Sequence, residues 1–281
     1  MSTILLATDL SPHADRALDR AALLATGEEA AGLLLLHVVD RELATGEGHA
    51  AALEAAEAAL CYDIAEAGLP AGLAVTPLLR GGEPGPAIVQ AAQETGCRLV
   101  VLAAPHADLL VQMFRASVLH HVVRHAPCPV LVVRRRARQT YRRIVVAVDL
   151  AAPSRLALEM ALRLLPGAAM AQAALVVVHA RHAAAPALAA EQRAGVDDMV
   201  AASLVRLAAE GRPAPGSVAI VIEPGEPASV VAAVVARQQA ELAVVGTLGL
   251  TGVANLLMGS TAEALLASLP CDVLAVRPVA P

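Results

Sequence analysis

Short apolar runs of about five residues alternate along the chain with longer stretches of helical periodicity. In the second half, runs at 143–148, 173–179, 217–222, 242–246 and 272–276 predict strands. They are apolar at both odd and even positions, as in a sheet covered on both faces. Between them, 154–165, 189–210, 227–239 and 260–268 predict helices. Strand–helix alternation implies a parallel sheet with right-handed crossovers. Five strands fit a doubly wound α/β sheet ordered 3-2-1-4-5, with its switch point between strands one and four.

The pattern occurs twice. Ile4-Leu5-Leu6-Ala7-Thr8-Asp9-Leu10 matches Ile144-Val145-Val146-Ala147-Val148-Asp149-Leu150. The next strand of each half reaches a histidine, His37 and His179. Gly82-Glu83-Pro84 and Gly225-Glu226-Pro227 each open a helix, and both halves close on Pro-Cys-x-Val-Leu. The same landmarks in the same order predict a duplicated domain. We expect domains at 1–136 and 143–281, joined by a basic linker at 137–142. Around that linker, six arginines fall between Arg134 and Arg143. Without interleaved aromatics they suit a solvated connection better than a nucleic-acid grip.

Composition narrows the picture. Hydrophobic residues make up 57% of the 281, with one Phe and no Trp, so Ala, Val and Leu supply the packing. A formal charge of −5 brings no bias toward nucleic acid. The longest uncharged stretch, Leu242 to Ala262, contains four glycines, which argues against a lipid-facing helix. Asp9 stands where a signal peptide would need its apolar core. The expectation is a soluble, cytoplasmic protein with no membrane partner. Cys61, Cys97, Cys128 and Cys271 include no close pair in sequence, and reduced thiols are expected.

Ligands of open α/β sheets lie at the carboxyl ends of the strands flanking the switch point. In the second half those ends are Asp149 and the loop from Gly246 to Thr261. Gly246 and Gly249 allow close backbone approach to a ligand. Gly259-Ser260-Thr261 opens a helix whose free amides and hydroxyls suit phosphate. No lysine follows, so the pattern is not a P-loop. Ser260-Thr261-Ala262-Glu263 also reads as a capping box, and Asp149 as a turn-forming residue.

The spacing Gly-x2-Gly-x9-Gly-Ser, the Asp after strand one and the duplicated plan resemble the universal stress protein family, in its tandem two-domain form. The resemblance covers essentially the whole chain. It implies two Rossmann-like (adenine nucleotide alpha hydrolase-like) domains and a stress-response regulatory protein. It also implies ATP, or ADP or AMP, in the second domain, with Mg2+ as a companion of the phosphates. Gly246, Gly249, Gly259, Ser260 and Thr261 would hold phosphates and ribose. Val148 and Asp149 would lie at the adenine side, and Ala180 would meet adenine through backbone groups. The resemblance further implies pairing of the two domains through their last strands, Pro129–Val133 and Asp272–Val276, and a homodimer with an unidentified protein partner.

In the first half the matching positions are Ala103, His106, Ala116 and Ser117, with Pro105 inside the turn. That half is expected not to bind ATP, or to bind something different. His121 and His125 stand four apart beside His120, a spacing that can share a metal, but no third ligand is evident. A nucleotide-free interaction module is the second functional reading, and a slow ATPase the third.

Overall fold

The computed structural model describes residues 3–12, 14–26, 32–39, 49–104, 109–181, 189–247 and 258–277. They divide into two compact units, Met1–Gln139 and Thr140–Pro281.

The first unit runs β1 (Ile4–Thr8), α1 (Asp15–Ala25), β2 (Leu33–Val39), α2 (His49–Glu66), β3 (Val75–Gly81), α3 (Pro84–Thr95), β4 (Leu99–Ala103), α4 (Leu109–His125), β5 (Val130–Val133). Its strands are parallel, in the order β3-β2-β1-β4-β5. Ile4, Leu5, Leu6, Leu33, Leu35 and Leu36 are fully buried or nearly so, as expected of strands packed on both faces. Pro77 interrupts β3 at the outer position of this order, where a missing N–H does least damage.

The second unit repeats the plan: β6 (Arg143–Val148), α5 (Ala152–Leu164), α6 (Gly167–Met170), β7 (Ala174–Arg181), α7 (Ala189–Ala209), β8 (Ser217–Pro224), α8 (Pro227–Arg237), β9 (Leu242–Gly246), α9 (Ser260–Ser268), β10 (Asp272–Val276). All pairings are parallel, ordered β8-β7-β6-β9-β10. This is the doubly wound order the alternation predicts. β7 and β8 run two residues past the apolar pattern, because their ladder continues to Arg181↔Pro224. Helix α5 begins earlier than the pattern suggests, with Pro153 tolerated in its first turn. The single turn α6 has no signal in the periodicity.

Backbone conformation shows the duplication as plainly as topology does. Leu10 and Leu150, each following the Asp after the first strand, adopt φ of 57° and 67°. Gly82 and Gly225, each before a Glu-Pro helix start, adopt φ of 128° and 145°. Glu226 then caps α8, accepting from the amides of Ala228 and Ser229. Tyr141 is buried at the start of the second unit and donates its hydroxyl to Asp272 at 2.7 Å. Among the described residues, no helix is long and apolar enough to cross a membrane.

Candidate functional site

The crevice of the second unit forms where β6 and β9 separate. Their ladder stops at Val146↔Val244, two residues short of each strand's end. Val148 is the last residue of β6, and Asp149 turns the chain away. Asp149 Oδ1 accepts from the Ala151 amide at 3.1 Å and, in a very short bond, from the Ser154 hydroxyl. The Asp149 amide in turn donates to Ser154 Oγ at 3.0 Å. This Asx turn encloses Leu150 and holds its left-handed backbone. The turn-forming role foreseen for Asp149 is therefore realised.

His179 closes the floor. It pairs with Val148 across β7 and β6, is 6% exposed, and donates from Nδ1 to the Val148 carbonyl at 2.9 Å. Its Nε2 is buried with no hydrogen-bond partner among the described residues. His37 repeats the contact in the first unit, with Nδ1 3.0 Å from the Thr8 carbonyl.

Ala180 lies one residue beyond the end of β6. Residues of a parallel strand present their backbone groups alternately to the two neighbours. Ala174 donates to Arg142 on the β6 side, and the Arg181 carbonyl accepts from Gly225 on the β8 side. The same alternation turns the Ala180 carbonyl toward the β6 side, past Val148.

On the opposite wall, β9 ends at Gly246. Thr247 follows, 3% exposed, with its amide donating to the Val276 carbonyl at 2.9 Å. The Thr247 carbonyl accepts from the Gly259 amide at 2.8 Å, so the two ends of the glycine loop are tied together. Thr247 Oγ1 is a second buried polar atom without a partner among the described residues. Sequence analysis assigned no role to Thr247. Its signal was a hydroxyl directly after the strand's terminal glycine. Gly249 lies outside the described residues.

Helix α9 starts at Ser260 with Gly259 as its N-cap, in an extended conformation (φ −62°, ψ 141°). The capping-box expectation is thereby corrected. Ser260 is already helical, one position too late to cap. The first four amides of a helix lack intrahelical acceptors. Gly259 spends one on Thr247, and among the described residues the amides of Ser260, Thr261 and Ala262 have no backbone acceptor.

The first unit differs at the same place. Ser117, the counterpart of Ser260, lies well inside α4, which has begun at Leu109. No helix start faces that crevice at this position. A cavity of about 160 Å³ occupies the ends of β1 and β4, lined by Thr8, Asp9, His37, Pro84, Leu102 and Ala103 among others. Asp9 Oδ1 is engaged by the Ser11 amide and hydroxyl. His106 and Pro105 lie outside the described residues.

Among the described residues, no third metal-binding side chain joins His121 and His125. The His121 ring packs against Gly85, where a Cβ would approach to 3.1 Å, and burial lowers its pKa. His125 donates from Nδ1 to the His121 carbonyl at 2.8 Å. Among the described residues, no cluster of three metal-binding side chains exists.

The model of the universal stress protein family matches residues 1–134 and again 140–277. The chain belongs to the universal stress protein family. Three solved structures resemble it over nearly its full length. A universal stress protein from Archaeoglobus fulgidus DSM 4304 is 20% identical, with 98% of each chain covered and a TM-score of 0.72. A putative universal stress protein from Pseudomonas aeruginosa UCBPP-PA14 is 24% identical over 99% of this chain and 94% of its own, with a TM-score of 0.66. A protein of unknown function from Pseudomonas aeruginosa PAO1 is 23% identical over 99% and 93%, with a TM-score of 0.64. At these identities the likeness speaks for the tandem fold. No curated protein sequence matches the chain.

Proposed function

We propose that this universal stress protein is a regulatory protein whose second unit binds ATP or a related adenine nucleotide. The observation that carries this reading is the contrast between Ser260 and Ser117. In the second unit the Gly-Ser pair opens a helix and offers its free amides to an anion. In the first the matching serine is exposed and lies well inside α4, where its amide belongs to the helix's hydrogen-bond ladder. Phosphates would rest on the amides of Ser260, Thr261 and Ala262, with Gly246, Gly249 and Gly259 admitting them closely. Mg2+ would enter with the phosphates.

The base would lie over Val148, between the Asp149 turn and the Ala180 carbonyl, which can accept from an exocyclic amino group. Two buried atoms without partners among the described residues, Thr247 Oγ1 and His179 Nε2, fit a site completed by a polar ligand. Of the two acidic residues near the crevice, Asp149 and Glu263, Asp149 has Oδ1 committed to the turn, which counts against it as the base of an ATPase. Binding that alters partner choice is therefore the reading carried forward. The first unit, with Ala103 and an uninterrupted α4, is assigned an interaction role.

Gly259→Val and Gly249→Val test the site by equilibrium ATP binding. Gly259 has a backbone conformation open to any residue, so valine there obstructs approach without straining the chain. Affinity should fall at least tenfold in both variants while circular dichroism is unchanged. Wild-type affinity in both would refute the assignment.

A further inference from the structure

At the opposite end of the first unit's sheet, two cysteines distant in sequence meet. Cys97 lies two residues before β4, and Cys128 two residues before β5. Their sulfurs are 3.6 Å apart, and both residues are free thiols, 4% and 9% exposed. Cys97 Sγ lies 3.9 Å from the Ala92 carbonyl, which can only accept, so Cys97 donates there and receives the Cys128 S–H. That bond holds the Cys97 thiol below its ordinary range and pushes the Cys128 thiol up. The strands behind them are in register at Val100↔Val130, and the Val100 amide donates to Pro129 at 3.0 Å.

Packing does not require this pair. In the second unit the position two residues before β9 is Ala240, buried, while Cys271 precedes β10. The slot that Cys97 fills is thus served by alanine in the sister copy.

We propose that Cys97 and Cys128 are a redox-active dithiol, oxidised by a peroxide to an intramolecular disulfide. A disulfide needs sulfurs about 2.05 Å apart, so the pair must close by roughly 1.5 Å. Burial selects a small oxidant over a protein disulfide. The Cys97 sulfur attacks one peroxide oxygen, the O–O bond breaks, and the departing hydroxide takes the proton lost from Cys97 as water, so that Cys97 becomes a sulfenic acid. The Cys128 sulfur attacks that sulfur, the S–O bond breaks, and the departing hydroxide takes the Cys128 proton as water. In sum, two thiols and one hydrogen peroxide give one disulfide and two waters.

The test uses the full-length protein treated with hydrogen peroxide, denatured, alkylated and digested with trypsin without reduction. Peptide Gly81–Arg98 should be recovered linked to His125–Arg134, two hydrogens lighter than their sum, and dithiothreitol should separate them. Alkylatable thiols should fall from four toward two. Separate alkylated peptides, sulfinic acid on Cys97, or linkage of either residue to the exposed Cys61 would overturn the proposal. In Cys97→Ala, which places here the residue the second copy carries, Cys128 should stay alkylatable. Its loss in that variant would also overturn the proposal.

Discussion

In the second unit, His179 Nδ1 lies 2.9 Å from the carbonyl oxygen of Val148. A carbonyl only accepts, so the proton sits on Nδ1 and a neutral ring keeps its lone pair on the buried Nε2. Long-range proton–nitrogen spectra should show the neutral ring as the Nδ1-protonated tautomer. His179→Phe, which removes the bond and keeps most of the volume, should cost about 1 kcal/mol of stability in urea unfolding. An Nε2-protonated ring would contradict the arrangement.

Asp149 is assigned to the turn, so geometry and not charge should matter there. Asp149→Ala removes the acceptor for Ala151 and Ser154 and releases Leu150, whose side chain packs near Gly195. The expected loss is about 1–2 kcal/mol in urea unfolding. Asp149→Asn keeps an acceptor and should lose less than half as much.

Gly225 and Gly82 share a positive φ but differ in surroundings. A Cβ at Gly225 would meet Val230 Cγ2 at 2.9 Å, whereas at Gly82 nothing lies within 4 Å. Gly225→Ala should destabilise by about 1–3 kcal/mol, and Gly82→Ala by less, in thermal or urea unfolding. Equal losses would show that backbone strain alone decides.

Acid should weaken the second unit through two carboxylates. The Arg163 side chain holds Glu210 below its ordinary value of 4.5, and the amides of Ala228 and Ser229 do the same for Glu226. A carboxyl with a lower pKa folded than unfolded stabilises above the unfolded value, and that contribution is lost as pH falls through the folded one. Urea midpoints should therefore decline below about pH 4.5, and Glu210→Gln together with Glu226→Gln should flatten the decline. Salt should weaken the Arg163–Glu210 part.

The fold was legible because strands apolar on both faces, recurring in two matching sets, leave few arrangements open. Strand ends were less so: β7 and β8 are extended by mutual pairing through Ala180 and Arg181, residues with no apolar pattern to announce it. Asp149 and the helix start at Ser260 could be placed from the loop's residue types. Which of two roles Asp149 takes depends on Ser154, five residues on, and only geometry decides it. Thr247 and the Cys97–Cys128 pair escaped because burial and long-range contact leave no local signature. The change from a loop to a helix around Ser117 was foreshadowed by alanines where the second copy has glycines, but its start at Leu109 was not.

The central claim is that one unit of the two holds the nucleotide. Isothermal titration of the full-length protein with ATP tests it most directly. The account predicts one site per chain, lost in Gly259→Val. Two sites per chain, or a single site that survives Gly259→Val, would contradict it.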